Sequence, residues 1–236
     1  MILLTINMNM FDFVIDDSFT SYISMINPDI AFIQECRYNR ISKGSALWAF
    51  EDTGYIDSRI HISAAILNKD SDIIRRRDIS VDNRYSNKCV FVTCKNKNFT
   101  GIHLPLVDDY IQDNSDYEDL LEKLEDSNSD VICGDFNATP GNLNHKFIEE
   151  LCSSDYENLW DIGLKKNKAF YINYSGVEIM ANKENHKTLR TFVRNTHIDY
   201  ILAKKNLVAL NKITIDFRTL AFTDHCSIIC DFEFYK

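Results

Sequence analysis

Proline and glycine are scarce, with 3 and 7 in 236 residues. No Pro/Gly-rich linker, low-complexity tract or internal repeat divides the chain, so a single domain is expected over residues 1–236. Apolar runs of the roughly 20 residues needed to cross a bilayer are missing too. The opening MILLTINMNMF has no basic n-region and no small-residue cleavage site, and it reads as a first strand rather than a secretory leader. The expectation is a soluble, cytoplasmic protein with no membrane contact and no obligate protein partner. No C-x-x-C pair occurs. Seven cysteines (Cys36, Cys89, Cys94, Cys133, Cys152, Cys226, Cys230) are odd in number and scattered, which argues against a disulfide framework or a zinc site and for reduced, buried thiols.

Positive charge is in deficit. Lys and Arg total 26 against 35 Asp and Glu, a net charge of −9, with a pI of about 5.1. No global basic field draws the chain onto nucleic acid, although a local patch with a bound metal can still hold a phosphate. Arg75, Arg76 and Arg77 form one basic run, read as a solvated face. Lys183, Lys187, Arg190 and Arg194 form a second, from which Arg190 and Arg194 are taken as substrate-binding candidates.

Hydrophobic residues at 45% and charged residues at 26% are ordinary for a globular protein, enough for one large buried interior. Apolar runs at Ile2 to Met8, Ile30 to Gln34, Ala64 to Leu67 and Val131 to Cys133 read as strands. Cys89 to Cys94 and Phe99 to His103 flank a polar turn and read as a hairpin. Helical spacing appears at Asp17 to Ile26, stopped by Asn27-Pro28, and at Ser115 to Leu124 and Leu143 to Leu151. His197 to Ala203 and Cys226 to Phe234 read as late strands. A chain mixing these elements needs two layers of sheet, or sheet plus helix, to bury its apolar faces.

Acids, amides and histidines fall beside the apolar runs: Asn7 and Asn9, Glu35, His103, Asp135 and Asn137, Asp199, and Asp224-His225. Strand ends at a sheet rim present side chains rigidly to a cleft. Glu35 and Asp224 are hard oxygen donors suited to Mg²⁺ or Mn²⁺ rather than to zinc. Asn7 and Asn137 can hold a phosphate oxygen or a bound water without adding negative charge. His103 and His225 can donate to a phosphate or move a proton near neutral pH. Asp199 could orient His225. His61, His145, His186 and His197 read as structural or surface residues.

Six short motifs in order resemble the blocks of the endonuclease/exonuclease/phosphatase superfamily. T-I-N-M-N at Thr5 to Asn9 looks like its opening block, P-D-I-A-F-I-Q-E at Pro28 to Glu35 its glutamate block, and G-I-H-L-P at Gly101 to Pro105 its histidine block. G-D-F-N-A-T-P at Gly134 to Pro140, T-H-I-D-Y-I-L at Thr196 to Leu202 and T-D-H-C at Thr223 to Cys226 are similar to the remaining three. His197 stands where the family usually has arginine, Ser227 where it usually has proline, and Ser63 to Asn68 lacks the usual glycines. These departures bear on substrate preference more than on catalysis. The histidine block is more like that of the deoxyribonuclease, deadenylase and sphingomyelinase branches than that of abasic-site endonucleases, which usually carry tyrosine at the position of His103.

The resemblance implies a four-layer α/β sandwich of two packed mixed β-sheets flanked by helices, with its site at one rim. It assigns Glu35, Asn7 and Asp224 to a Mg²⁺ (or Mn²⁺) ion, and His103, Asp135, Asn137, Asp199 and His225 to catalysis. Asn9, Arg190 and Arg194 fall to substrate binding. The function implied is a metal-dependent nuclease with nucleic acid as substrate. A phosphatase or phosphodiesterase acting on a small-molecule or lipid phosphate is the alternative, and a non-catalytic binding protein on the same fold is the second.

Overall fold

Strand alternation, with successive side chains on opposite faces, organises this molecule from its first residues. A computed structural model describes residues 1–9, 17–37, 47–50, 61–67, 75–76, 79, 85, 88–106 and 115–235. Arg77 lies outside them, as do Asp108 and Asp109, the acids that follow the histidine block where a basic loop would be needed to grip a duplex. In chain order the elements are β1 (Ile2–Asn7), α1 (Asp17–Ile26), β2 (Ile30–Arg37), β3 (Leu47–Phe50), β4 (His61–Leu67), β5 (Arg75–Arg76), β6 (Cys89–Cys94) and β7 (Lys97–His103). Then follow α2 (Ser115–Asp126), β8 (Val131–Asp135), α3 (Leu143–Ser153), β9 (Tyr156–Asn158), α4 (Leu159–Lys165), β10 (Ala169–Ile172), β11 (Glu178–Met180), β12 (Asp199–Lys204), β13 (Val208–Asp216) and β14 (Ser227–Phe234).

Two mixed sheets result. The eight-stranded sheet runs β11-β10-β13-β14-β1-β2-β4-β3, and the six-stranded sheet runs β5-β6-β7-β8-β12-β9. Between them lies a core containing Leu3, Ile30 and Phe32 of the first sheet and Val90, Val92, Phe99, Val131, Cys133, Ile201 and Ala203 of the second. Leu4, Ile6 and Ile33 turn to the other face and pack on Phe19 and Tyr22 of α1. Ile102, Ile132 and Leu202 turn outward in the second sheet and pack on α2 and α3 through Leu120, Leu124, Phe147 and Leu151. Helix, sheet, sheet and helix form the expected α/β sandwich. The sheets approach closely at Gly101, where a Cβ would lie 2.1 Å from Phe32 Cδ1.

Several bounds differ from the sequence reading. The β6–β7 turn is shorter than the polar run Lys95 to Asn98: Lys95 and Asn96 both take positive φ, 50° and 60°, so two residues close the hairpin. Lys97 and Asn98 then join the ladder. The strand expected from His197 starts at Asp199. β9 to β11, α4 and β13 were not anticipated. Cys94, Cys133, Cys226 and Cys230 are buried thiols rather than disulfides. Among the described residues no helix is long and apolar enough to cross a membrane.

Candidate active site

The interior core ends in polar residues of the same strand parity. Leu3 and Thr5 lead to Asn7, Phe99 and Gly101 to His103, and Val131 and Cys133 to Asp135. Read backwards along β12, Ala203 and Ile201 lead to Asp199. Parallel pairing sets His103 beside Asp135, and antiparallel pairing sets Asp199 opposite Asp135. The site therefore caps the core at the seam between the two sheets. Asn7, Asp135 and Asp199 are 1%, 2% and 1% exposed, so each of these polar groups must find partners there.

Glu35 breaks the parity. Gln34 is the inward residue of β2 and bonds Thr5 Oγ1 at 3.1 Å. Between Ile33 and Cys36 the β2–β4 register shifts, and Glu35 takes φ +53°. A bulge with left-handed backbone is uncommon for glutamate and is the kind of local strain held at functional sites. It turns the carboxylate into the cluster.

Asn7 is the hub. Its Nδ2 donates to Glu35 Oε1 at 3.1 Å and to Asp135 Oδ2 at 2.9 Å, and its Oδ1 accepts from the Asn9 N–H at 2.9 Å. The reverse amide orientation would set oxygen against two carboxylates, so the chemistry fixes this one. Asn9 Nδ2 donates in turn to Asp224 Oδ2 at 2.6 Å. Thr223 Oγ1 donates to the Asn7 carbonyl at 2.7 Å, tying the segment before β14 to the end of β1.

His225 Nδ1 lies 3.0 Å from Asp199 Oδ2, and its Nε2 lies 3.9 Å from Asp135 Oδ2 and 3.8 Å from Asp224 Oδ1. Thr191 Oγ1 accepts from the N–H groups of Ile198 and Asp199 and holds the entry to β12. Burial opposes charge on His225, but Asp199, Asp135 and Asp224 outweigh it and raise its pKa to about 9. Burial and Asp199 push the Asp135 carboxyl up to about 7, against the pull of His225, the Asn137 N–H and Asn7.

His103 Nε2 lies 3.4 Å from Glu35 Oε1 and 3.9 Å from Asp135 Oδ2. Asn137, at φ +48°, donates its N–H to Asp135 Oδ1 at 2.8 Å and its Nδ2 to the Leu104 carbonyl at 2.7 Å. Asn142 and Asn144 hold the same loop through the carbonyls of Asn137 and Phe136. The structure thus gathers Asn7, Asn9, Glu35, His103, Asp135, Asn137, Asp199, Asp224 and His225. Arg194 comes near only through Phe192: its guanidinium sits 5.8 Å from that ring, which packs 4.7 Å from His225. Arg190 instead donates to Asn195 and Tyr174. Sequence reading missed Phe192 and Lys88, whose Nζ lies 3.1 Å from His103 Nδ1. The hairpin register was the signal for Lys88, since a residue just before β6 falls opposite the end of β7.

Whether the cluster suits a cation is answered by its donors. Four carboxylates converge, and among the described residues Asp199 Oδ1 and Asp224 Oδ1 are buried without a hydrogen-bond partner. Oxygen donors with an uncompensated buried lone pair fit a hard divalent ion. One ligand atom each from Asp135, Asp199 and His225 also lies within 4.8 Å of the others. There, however, His225 is hydrogen-bonded through Nδ1 and surrounded by groups that favour its protonated form, which cannot ligate.

Fold and cluster together define a phosphoesterase-type α/β sandwich. The model of the Endonuclease/Exonuclease/phosphatase family matches residues 4–225, and the chain belongs to that family. Its fold is shared by the 3′-5′ exonuclease NExo from Neisseria meningitidis, at TM-score 0.66 and 14% identity over 99% of this chain and 100% of that one. The human Nocturnin catalytic domain with bound sulfate superposes at TM-score 0.64 and 16% identity over 99% and 94%. A Bacteroides thetaiotaomicron mannosyl-6-phosphatase, Bt3783, does so at TM-score 0.64 and 14% identity over 99% and 99%. No curated protein sequence matches the chain.

Proposed function

We propose that this chain is a Mg²⁺- or Mn²⁺-dependent phosphodiesterase that hydrolyses nucleic acid. The observation that carries this reading is the meeting of Asn7, Glu35, His103, Asp135, Asp199 and His225, from both sheets, within hydrogen-bond or ion-pair reach. Glu35, Asp224 and Asn7 Oδ1 would hold the ion; Oδ1 has a lone pair left beside its bond from the Asn9 N–H. Bound there, such an ion would supply Lewis-acid polarisation of the scissile phosphate and charge to offset the leaving oxyanion.

The chain's own groups divide the remaining work. Asp135, with its carboxyl raised toward neutrality, orients the attacking water and takes its proton. Asn137 holds Asp135 through its N–H and helps to fix the phosphate. His225, kept in one orientation by Asp199, and His103 donate to the phosphoryl oxygens as charge builds on them. Phe192, half-buried with its ring 4.7 Å from that of His225 and 5.8 Å from the Arg194 guanidinium, offers a base an aromatic contact beside the cluster. That ring favours nucleic acid over a sugar phosphate, although the fold serves both an exonuclease and a mannosyl-6-phosphatase. Buried free thiols, which persist in a reducing compartment, support the cytoplasm as its location.

Purified protein with Mg²⁺ should be offered plasmid, single-stranded DNA, RNA and a panel of phosphomonoesters. Cleavage of polynucleotides at rates well above the monoesters is expected. Turnover of the monoesters alone would overturn the nuclease reading and favour the phosphatase, and no turnover of either would favour a binding protein.

A further inference from the structure

Lys88 immediately precedes β6, and the His103 N–H donates to the Lys88 carbonyl at 2.8 Å. Cys89 pairs with Ile102 in that ladder, so Lys88 stands directly opposite His103. Its strand parity follows Val90 and Val92, which face the interior, and its side chain enters the site from below. Residues directly opposite on one face of an antiparallel pair carry Cβ atoms close enough to interact. The contact made is specific: Nζ to Nδ1 at 3.1 Å, on a ring only 8% exposed.

An ammonium has three donors and no acceptor. A doubly protonated ring would set N–H against N–H and charge against charge at that distance. With Lys88 as the ammonium, a charge that burial opposes and Glu35 and Asp135 favour, only a ring whose Nδ1 is bare can receive the bond, and its proton then sits on Nε2. That nitrogen is the one 3.4 Å from Glu35 Oε1 and 3.9 Å from Asp135 Oδ2. We infer that Lys88 is a positioning residue that fixes His103 as the Nε2–H tautomer and turns this N–H into the cluster of Glu35 and Asp135, where a phosphate would be held. A histidine's tautomer is commonly set by the bond that its other nitrogen makes. The two site histidines then differ by construction. His225 faces carboxylates on both ring nitrogens, whereas His103 faces a cation on one side and carboxylates on the other, and it acts as a fixed donor. The role rests on reading this cluster as a phosphoester-hydrolysing site, while the tautomer itself can be read without any turnover.

The test uses the full chain, metal-free, with ¹⁵N-labelled histidine. Long-range ¹H–¹⁵N spectra report which ring nitrogen bears the proton, and the His103 signals are those lost in His103→Gln. Wild type should show an unprotonated Nδ1 and a protonated Nε2; the opposite pattern overturns the inference. Lys88→Met should shift the ring toward mixed tautomers. Its kcat should fall about 10- to 100-fold, less than the roughly 10²–10³-fold for losing such a donor outright, with KM within about threefold of wild type. Lys88→Gln, which keeps an N–H donor without the charge, should restore both the spectrum and much of kcat. If Lys88→Met instead raises KM and leaves the tautomer and kcat unchanged, Lys88 binds phosphate directly and the inference fails. Should Lys88→Met not fold, the wild-type spectrum still decides. Should no phosphoester be cut, that spectrum still separates the tautomer from the proposed reaction.

Discussion

Asp199 begins a strand of the six-stranded sheet, His225 precedes a strand of the eight-stranded sheet, and the two side chains meet at 3.0 Å, Oδ2 to Nδ1. The bond crosses the seam between the sheets, as does the 2.9 Å bond from Asn7 to Asp135. The geometry of the candidate site and the packing of the sheets are therefore the same structural fact at this rim. A side chain displaced here also misplaces its partner on the opposite sheet.

The first prediction follows from that pair. His225→Ala should lower kcat by about 10²-fold or more, as for a lost acid–base or oxyanion group. Asp199→Asn should also slow turnover, by freeing the ring to rotate and change tautomer. Because the two act as one unit, the double variant should be little worse than His225→Ala alone. Steady-state kinetics on all four proteins gives the cycle, and multiplying effects would dissolve the pairing.

How much of this was visible in the sequence depended on parity. Asn7, His103 and Asp135 end alternating apolar runs, so period-two reading finds both the strand and its last inward residue. Glu35 also lay at a run's end, but parity would have turned Gln34 inward, and only the bulge with its positive φ explains why Glu35 serves. Asp199 begins its strand and His225 precedes one; the antiparallel pairing of β12 and β8 that makes a strand's start equivalent to a strand end is a tertiary fact. Lys88 looked like an ordinary polar residue before Cys89. β13 escaped notice because its register shifts between Leu210 and Lys212, and α4, at seven residues, is too short to show a helical period.

Metal dependence is the second prediction. Glu35→Gln should abolish turnover, as should excess EDTA on wild type, without loss of fold. Removing one of four crowded carboxylates relieves repulsion, so thermal stability without metal should hold or rise. Mg²⁺ should raise the wild-type melting temperature by linkage and raise that of Glu35→Gln far less. Full activity in EDTA would be incompatible with this mechanism.

A pH window follows from His225. Its folded pKa of about 9 stands above the roughly 6.5 of a free histidine. A base raised in this way stabilises the fold fully below about pH 6.5, and the contribution is lost as pH rises through about 9. Asp135 works in the same direction at lower pH. Its carboxyl is raised from 3.8 to about 7, so its ionisation removes stability across that interval. In metal-free protein, the urea-midpoint advantage of wild type over Asp199→Asn should shrink between about pH 6.5 and 9. A His225 ring that titrates as an ordinary histidine by NMR would contradict the account.

Gly134 offers a test of the rim's tolerance. It takes φ +142°, and a Cβ there would sit 1.9 Å from the Ile102 carbonyl oxygen. That oxygen belongs to the neighbouring strand and cannot move without opening the β7–β8 ladder. Gly134→Ala should cost about 3 kcal/mol or more and should displace Asp135, the next residue. Chemical denaturation measures the first effect and kcat the second. A variant as stable as wild type would mean that the strand pairing gives way easily.

The last prediction concerns the substrate. A net charge of −9 and exposed acids give this protein little means of gripping a long duplex by many phosphate contacts. Arg190 is engaged by Asn195 and Tyr174, which leaves Arg194 as the nearer cation at the Phe192 edge. Few neutralised phosphates mean few released counterions, so the logarithm of binding affinity should fall only shallowly with the logarithm of salt concentration. Specific contact should come instead from one base stacked on Phe192, and Phe192→Ala should weaken substrate binding by about 1–3 kcal/mol, the worth of a stacked base. His103 stands where abasic-site enzymes of this family usually have tyrosine, so intact and abasic strands should be cut at comparable rates. Matched duplexes with and without an abasic site, assayed across a salt series, test both expectations. An abasic preference of about a thousandfold would overturn the branch assignment while leaving the family untouched, and a steep salt slope would show that basic groups beyond Arg194 hold the strand.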